Sequence, residues 1–570
     1  MMTAIWAGHA AAATLLSPSV LPASTVVLRL HQPWPAGLGR LSPNAARAAR
    51  QSANASTVDF TASEDEWRLL MEDGSIALRL TLLHRDASLF YEQRARLEIN
   101  ATHQAARRLG TEKPLLGSMG GYYTVDEVRS EFSRLAAAYP HWVHPAVKVG
   151  TTHSGRSIDL ICVGDDLDGC AGVSSRPTVL YTALVHAREP ATVMSLVHFL
   201  RTLLAEATVG DPDALYLLTH RKLLFLPVAN PDGYAWNERT RPHGGGMKRK
   251  NGLACCRYRP NSADDGVDIN RNFGYKYAFD NIGSEADGCS EMYRGKGAFS
   301  EPETRAIRDV VMHHAPAATL HWHGWGNDIA IPFSYDWHAA IAAADLQTFQ
   351  QIGAGMSARN HYAVGRAWES VGYTSNGEAD DWGYAEGRSV SVTVEVGNSR
   401  DSFWPSPSRI LPIANENVWP ARYLAWATGP QLLLSSLRVT PGHAVVTDDG
   451  VRADSRPSNG GLGGRSTATA GAATGPVGAS ASTSAAAMTT ELTLSVQAAG
   501  LGSVVGGHLL CACSSVESTT FRANVDWRAP ATNAATAIAS SRHGRSDPIL
   551  NTLSNPKLAP PPLISTAPHA

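Results

Sequence analysis

The stretch of this chain best equipped for chemistry is V-H-A-R-E-P, where His186 and Glu189 stand three residues apart with Arg188 between them. Imidazole nitrogen and carboxylate oxygen are both zinc ligands, and a catalytic zinc keeps one position open for water. Two such residues fit equally well as a His and a Glu that merely solvate a strand end, so a third ligand and a base must come from elsewhere. L-H-W-H-G-W offers His321 and His323. Residues two apart share a strand face, so facing leaves both open; only the one nearer the strand end would reach a site at the sheet edge. S-V-S-V-T-V-E-V places Glu395 near the end of an otherwise apolar run. A carboxylate there is costly without a partner, and a general base acting on water has one.

These residues need elements to hold them. The run Thr178 to Val185 is short, β-rich and continuous, which suits a strand buried on both faces. Pro190 and A-T-V-M-S-L-V-H-F-L-R-T-L-L then read as a helix with proline in its first turn. Further strands are expected at Ser157–Val163, Lys222–Val228, Ala318–Trp322, Asp328–Phe333 and Ser389–Val396. Helices are expected at Val125–Tyr139 (with Thr124 as N-cap), Ala191–Ala205, Glu301–His314, Ala339–Arg359 and Ala414–Trp426. The alternation predicts an α/β fold, a mixed and mostly parallel sheet with helices on both faces. Ligands bind outside the carboxyl ends of strands in such sheets. His186 with Glu189, one of the two histidines, and Glu395 therefore meet at one edge.

The 570 residues divide unevenly. Residues 1–56 are rich in Ala, Ser and Pro and read as leader plus linker, mostly disordered. Residues 57–117 read as a small α+β unit of prodomain type: a capping box from Ser63 to Glu66, an alternating strand S-I-A-L-R-L-T-L-L and a charged helix S-L-F-Y-E-Q-R-A-R-L. Residues 118–430 hold the main domain. Residues 431–570 form a tail dominated by Gly, Ala, Ser and Thr from Asp448 to Met488, with a small β module at about 490–527 and a disordered end. Lys+Arg total 49 against 51 Asp+Glu, so no basic surplus points to nucleic acid. No apolar run reaches membrane-spanning length. The start lacks early Lys or Arg and is a poor secretory signal. Asn54 and Asn100 are glycosylation acceptors on paper, and a secreted or endomembrane-lumen location is expected.

With these residues in place, residues 118 to about 428 resemble the zinc metallocarboxypeptidases of the pancreatic carboxypeptidase A/B family, peptidase family M14, the funnelins. The resemblance rests on H-A-R-E-P, N-P-D-G-Y (Asn230–Tyr234), G-V-D-I-N-R-N-F (Gly266–Phe273), C-S-E-M-Y-R-G (Cys289–Gly295), F-S-E-P-E (Phe299–Glu303), V-G-Y-T-S-N-G-E-A-D-D-W (Val371–Trp382) and V-T-V-E-V (Val392–Val396), in that order. It implies one zinc per chain held by His186, Glu189 and, nine residues before Pro332, His323. Glu395 matches the glutamate that takes a proton from the attacking water and hands it to the leaving amine. Asn270 and Arg271 match the grip on the substrate's terminal carboxylate, a bidentate task suited to guanidinium. Tyr373 matches the tyrosine that caps the bound terminus, and Arg188 a secondary carboxylate site. Asp268 matches the carboxylate that orients the first imidazole.

Arg249 matches the arginine that polarises the scissile carbonyl. Lys248 stands where the family has an aromatic residue, and a shift by one would bring Lys248 or Lys250 into that role. Asp380 falls at the base of the pocket for the terminal side chain. A buried carboxylate needs a cation there, which implies preference for C-terminal Lys or Arg; Glu378, two residues earlier, signals that this loop can differ from the family's. The resemblance also implies a disulfide from Cys289 to Cys255 or Cys256. Cys162 and Cys170 could pair, or Cys162 could be a plain buried strand thiol. The partners implied are peptide or protein C-termini, met by a monomer. Two other functions fit less well: a related zinc amidohydrolase acting on N-acyl amino acids or wall peptides, which Asn270, Arg271 and Tyr373 disfavour, and an inactive binding homologue, which the intact ligand set disfavours.

Overall fold

The computed structural model describes residues 25–33, 43–51, 55–109, 116–165, 170, 174–370, 372–440, 491–500, 509–510, 520–521 and 535–540. Asn54, residues 1–24 of the expected leader and the stretch 448–488 lie outside them. Two units divide the chain: Met1–Pro430 with Gly500–Gly502, and the remainder. In the first, the strands are β1 (Val26–His31), β2 (Thr57–Ala62), β3 (Leu80–His84), β4 (Val147–Thr151), β5 (Ser157–Val163), β6 (Thr178–Thr182), β7 (Lys222–Leu226), β8 (Ala318–Gly324), β9 (Asp328–Ile331), β10 (Ala363–Arg366) and β11 (Val390–Val396).

Strands β4 to β11 form one sheet in the order β10-β9-β11-β8-β6-β7-β5-β4. Its centre, β11-β8-β6-β7, is parallel, while β9, β5 and β4 join antiparallel. All residues of β6, β7 and β8 are buried, as continuous apolar runs imply. Alternation along β8 puts Trp322 on the face opposite His321 and His323. Trp322 stacks on Tyr181 of β6 at 5.7 Å, and Tyr181 meets Phe199 and Phe225 at 5.3 and 5.2 Å. Such aromatic pairs add about 0.5–1.5 kcal/mol each beyond the area they bury, so one face of β8 is clamped while its other face and end carry polar residues. The helix Val125–Ala138 opens with the expected Thr124, in a full capping box with Glu127.

Four departures have local causes. Strand β6 stops at Thr182, not Val185, because Leu184 adopts φ +50° and its amide donates to Thr192 Oγ1 (3.1 Å) instead of a neighbouring strand. The helix expected over Ala414–Trp426 is two helices, Pro407–Glu416 and Val418–Ala427; Pro420 would clash with the carbonyl four residues back in a continuous helix. The S-I-A-L start of the expected strand is instead a helical turn, Gly74–Ala77, because the Asp73 carboxylate accepts from Ser75 N (2.9 Å) and Ile76 N (3.4 Å). Residues 1–56 are not all linker. Strand β1 is the middle of the sheet β2-β1-β3, and Pro43–Gln51 is a helix that buries Ala45, Ala46, Ala48 and Ala49. Alanine buries without an apolar signature, so composition alone read as linker.

Cys289 pairs with Cys256, and Cys162 pairs with Cys170, so Cys162 is not a plain thiol. Among the described cysteines Cys255 is free. Beyond the first unit's last helix, Pro430–Thr440, Glu491–Gly500 and Ala535–Ser540 form a three-stranded sheet, and Leu509–Leu510 pairs with Thr520–Phe521. Pairing thus runs past the expected β module into a segment expected to be disordered. Among the described residues no single helix is long and apolar enough to cross a membrane.

Candidate active site

The carboxyl end of β6 delivers His186 and Glu189, that of β8 His323, and that of β11 Glu395. Parallel pairing sets Glu395 beside His323. His186 Nδ1 lies 3.0 Å from Glu189 Oε1 and 3.0 Å from His323 Nδ1, and His323 Nδ1 lies 3.4 Å from Glu189 Oε2. One ligand atom of each lies within 4.8 Å of the others, and all three residues are buried. Two ring nitrogens turned onto a carboxylate concentrate lone pairs in a dry place, a donor set that fits zinc. Burial would push the Glu189 carboxyl up, but His186 and His323 hold it below its usual range. His321, the other candidate, is a satisfied core histidine: Nδ1 lies 2.8 Å from Thr182 Oγ1, and burial lowers it to about 3, keeping it neutral.

Asp268 holds the far side of the first imidazole, with Oδ1 3.1 Å from His186 Nε2. Its Oδ2 accepts from Arg249 Nε (3.0 Å), and Arg249 Nη1 reaches to 3.2 Å from His186 Nδ1. Burial opposes ionisation of Asp268, yet Arg249, Arg271 and His186 keep it well below the usual range. Lys248 and Lys250 turn away: their ammonium groups donate to loop carbonyls, Lys248 to Ser262 and Asp265, Lys250 to Gly288 and Ser290. Arg249 is the member of that trio that faces the ligand cluster.

Glu395 is largely buried, its side chain 13 % exposed, and Oε2 accepts no hydrogen bond. Burial pushes it up to about 7, with Arg47 and His323 opposing. One cavity is lined by His186, Glu189, Arg249, Arg271, Asp380 and Glu395, and Asn270, Tyr373 and Arg188 border it as well. Asn270 Oδ1 accepts from Ala379 N (3.0 Å). The Arg188 guanidinium donates to Glu291 and sits 3.7 Å over the Phe403 ring. Asp380 is 1 % exposed, and its carboxylate accepts from Thr393 Oγ1 (3.0 Å).

Two residues of the site were not anticipated. Arg47, on the helix Pro43–Gln51, reaches into the same cavity. It donates to Trp325 O and approaches Glu395 Oε2 to 3.4 Å. Nothing in its alanine-rich surroundings marked it. Asp328 faces Glu395 across the antiparallel β9–β11 pair, and neither of its buried carboxylate oxygens accepts a hydrogen bond. Its signal was legible: a carboxylate inside D-I-A-I-P-F, the same anomaly that marked Glu395.

The chain is similar to known proteins. Rat carboxypeptidase A1 is 28 % identical over 306 residues, 53 % of this chain and 68 % of its own length. Bovine carboxypeptidase B is 30 % identical over 283 residues, 48 % of this chain and 63 % of its own, so the chain spans somewhat under two thirds of that relative. A crystal structure of carboxypeptidase A from Helicoverpa armigera shares the fold, with TM-score 0.54, 22 % identity, and 71 % of this chain and 97 % of that one covered. The sequence profile described as zinc carboxypeptidase matches residues 128–419, about half of the chain, and with the two histidines and the glutamate gathered at the sheet edge the chain belongs to the zinc carboxypeptidase family of hydrolases.

Proposed function

We propose that this chain removes the C-terminal residue of peptides and proteins, holding zinc on His186, Glu189 and His323. The observation that carries the reading is Glu395: an acceptor oxygen without a hydrogen bond, beside His323, at the sheet edge where the ligand cluster opens on the cavity. Bound zinc supplies Lewis-acid chemistry, polarising a carbonyl and acidifying water. Asn270 and Arg271 hold the substrate's terminal carboxylate, and Tyr373 closes over it. Arg188 binds carboxylate in a secondary position. Glu395 removes a proton from the attacking water and returns it to the departing amine. Asp268 fixes the His186 ring, and Arg249, charged and buried beside it, meets negative charge growing on the scissile carbonyl oxygen. Asp380 faces the terminal side chain, which favours Lys or Arg. The two disulfides suit an oxidising compartment, so secretion or a luminal location is the reading, with the chain acting as a monomer.

The test is hydrolysis of two blocked dipeptides, one ending in Arg and one in Phe, with and without a zinc chelator, before and after limited trypsin. Chelator-sensitive release favouring Arg is expected. Glu395→Gln is expected to keep zinc and substrate binding while losing at least about 10³-fold in turnover. Retained turnover in that variant removes Glu395 from its role. Activity on N-acyl amino acids alone would move the chain to the amidohydrolases.

A further inference from the structure

Glu378 has no part in the reaction just described, yet it sits on the residue that should grip substrate. Arg271 Nη1 donates to Glu378 Oε1 at 2.9 Å, and the same oxygen accepts from Ser375 Oγ at 2.5 Å. The side chains are 2 % and 12 % exposed, so this ion pair is largely removed from water. Two further Arg271 donations go to backbone, Nε to Gly283 O and Nη1 to Asn270 O at 2.8 Å. The positive charge offered to an incoming carboxylate is therefore already matched by a carboxylate of the protein itself.

The surroundings make that consequential. Asp380 lies two residues on and lines the same cavity, with Thr393 and Asp381 N as its hydrogen-bond donors. Arg271 and Glu378 cancel; adding a substrate terminus leaves one unmatched negative charge, and ionised Asp380 a second. In a dry site an unmatched charge is costly. A cationic side chain on the terminal residue supplies the missing charge, and an uncharged side chain does not.

We propose that Glu378 is an internal counter-ion of Arg271 that the substrate's terminal carboxylate must displace, and that its charge, left in the pocket beside Asp380, makes a cationic terminal residue the condition for tight binding. This rests on the reading that Arg271 grips the terminal carboxylate. Glu378 then acts as a specificity residue by raising the barrier to neutral termini, whereas Asp380 acts chiefly by attracting basic ones.

Glu378→Gln keeps the shape and removes the charge. On the full chain, before and after limited trypsin, it is expected to raise kcat/KM for the Phe-ending dipeptide about 10-fold and change the Arg-ending one by less than about 3-fold. Asp380→Asn is expected to lower kcat/KM for the Arg-ending dipeptide, the substrate that Glu378→Gln leaves nearly unchanged. Calorimetric binding of the same dipeptides to chelator-stripped protein should show the same gain for Phe in Glu378→Gln, a readout independent of turnover. An unchanged Arg-to-Phe ratio, an equal loss on both substrates, or a loss on Arg alone overturns the proposal. Wild-type protein that hydrolyses neither dipeptide defeats the carboxypeptidase reading instead, and the stripped-protein binding ratio still decides the role of Glu378.

Discussion

A buried acid with no cation beside it is the informative feature at the residue scale, and Asp380 is the one with a measurable consequence. Burial, then Glu378, pushes its carboxyl up to about 7, with Thr393 and the Asp381 amide pulling down. The unfolded chain ionises this group near 3.9. Between about 4 and 7 the folded state therefore holds more protons than the unfolded one, so the contribution of Asp380 to stability is complete below about 4 and is lost as pH rises through about 7. Urea unfolding of wild type and Asp380→Asn between pH 4 and 8 should show the wild type losing stability relative to the variant across that window; a constant difference contradicts the buried neutral acid. A bound Lys or Arg side chain favours the ionised form, so KM for basic termini should fall over the same range. The motif D-D-W pointed to Asp380 as a pocket residue, but its protonation was not legible, because it depends on Glu378 and Thr393, brought close by folding.

At the scale of elements, the helix Pro43–Gln51 matters most, since it carries Arg47 to Glu395 and stacks that guanidinium 5.7 Å from the Trp325 ring centroid. A cation held against the base occupies the cavity and opposes the upward push of burial on its carboxyl. Arg47→Ala in the full chain is expected to raise kcat/KM at least about 10-fold, because the ion pair that occupies Glu395 is lost. Limited proteolysis that removes the first 117 residues should erase the difference between variant and wild type. Equal activity of variant and wild type before proteolysis rules out this inhibitory contact. Elements with strong periodic signals, such as β6, β7 and β11, were legible from apolar runs. This helix was not, because the apolar residues it buries are four alanines. Nor could adjacent Cys255 and Cys256 be told apart by pattern: Asp265 Oδ1 accepts from both their amides at 2.7 Å, and that turn aims Cys256 at Cys289 and Cys255 Sγ at Gly266 O.

For the whole molecule, the question is where the catalytic unit ends, and buried hydrogen bonds answer it better than composition. The family match stops at residue 419. Two buried groups of the sheet layer reach beyond it: Tyr181 Oη donates to Ala421 O at 2.9 Å, and Arg221 Nε donates to Ala425 O at 2.9 Å with Nη2 on Trp426 O at 3.2 Å. Leu424 and Ala425 are fully buried in the core that holds Tyr181 and Trp322. Cutting the chain after residue 417 would strand the Tyr181 phenol and take from Arg221 its acceptors at Ala425 and Trp426, at about 1–3 kcal/mol each, and open a cavity where Leu424 sat. Cutting after residue 430 removes none of these contacts. A chain ending at 430 should therefore keep the melting temperature and the Arg-dipeptide kcat/KM of the full chain. One ending at 417 should melt at least about 10 °C lower or fail to fold, since losses of several kcal/mol approach the whole stability of a domain. Loss of activity in the longer truncate would assign the second unit a part in catalysis that nothing in the site geometry demands.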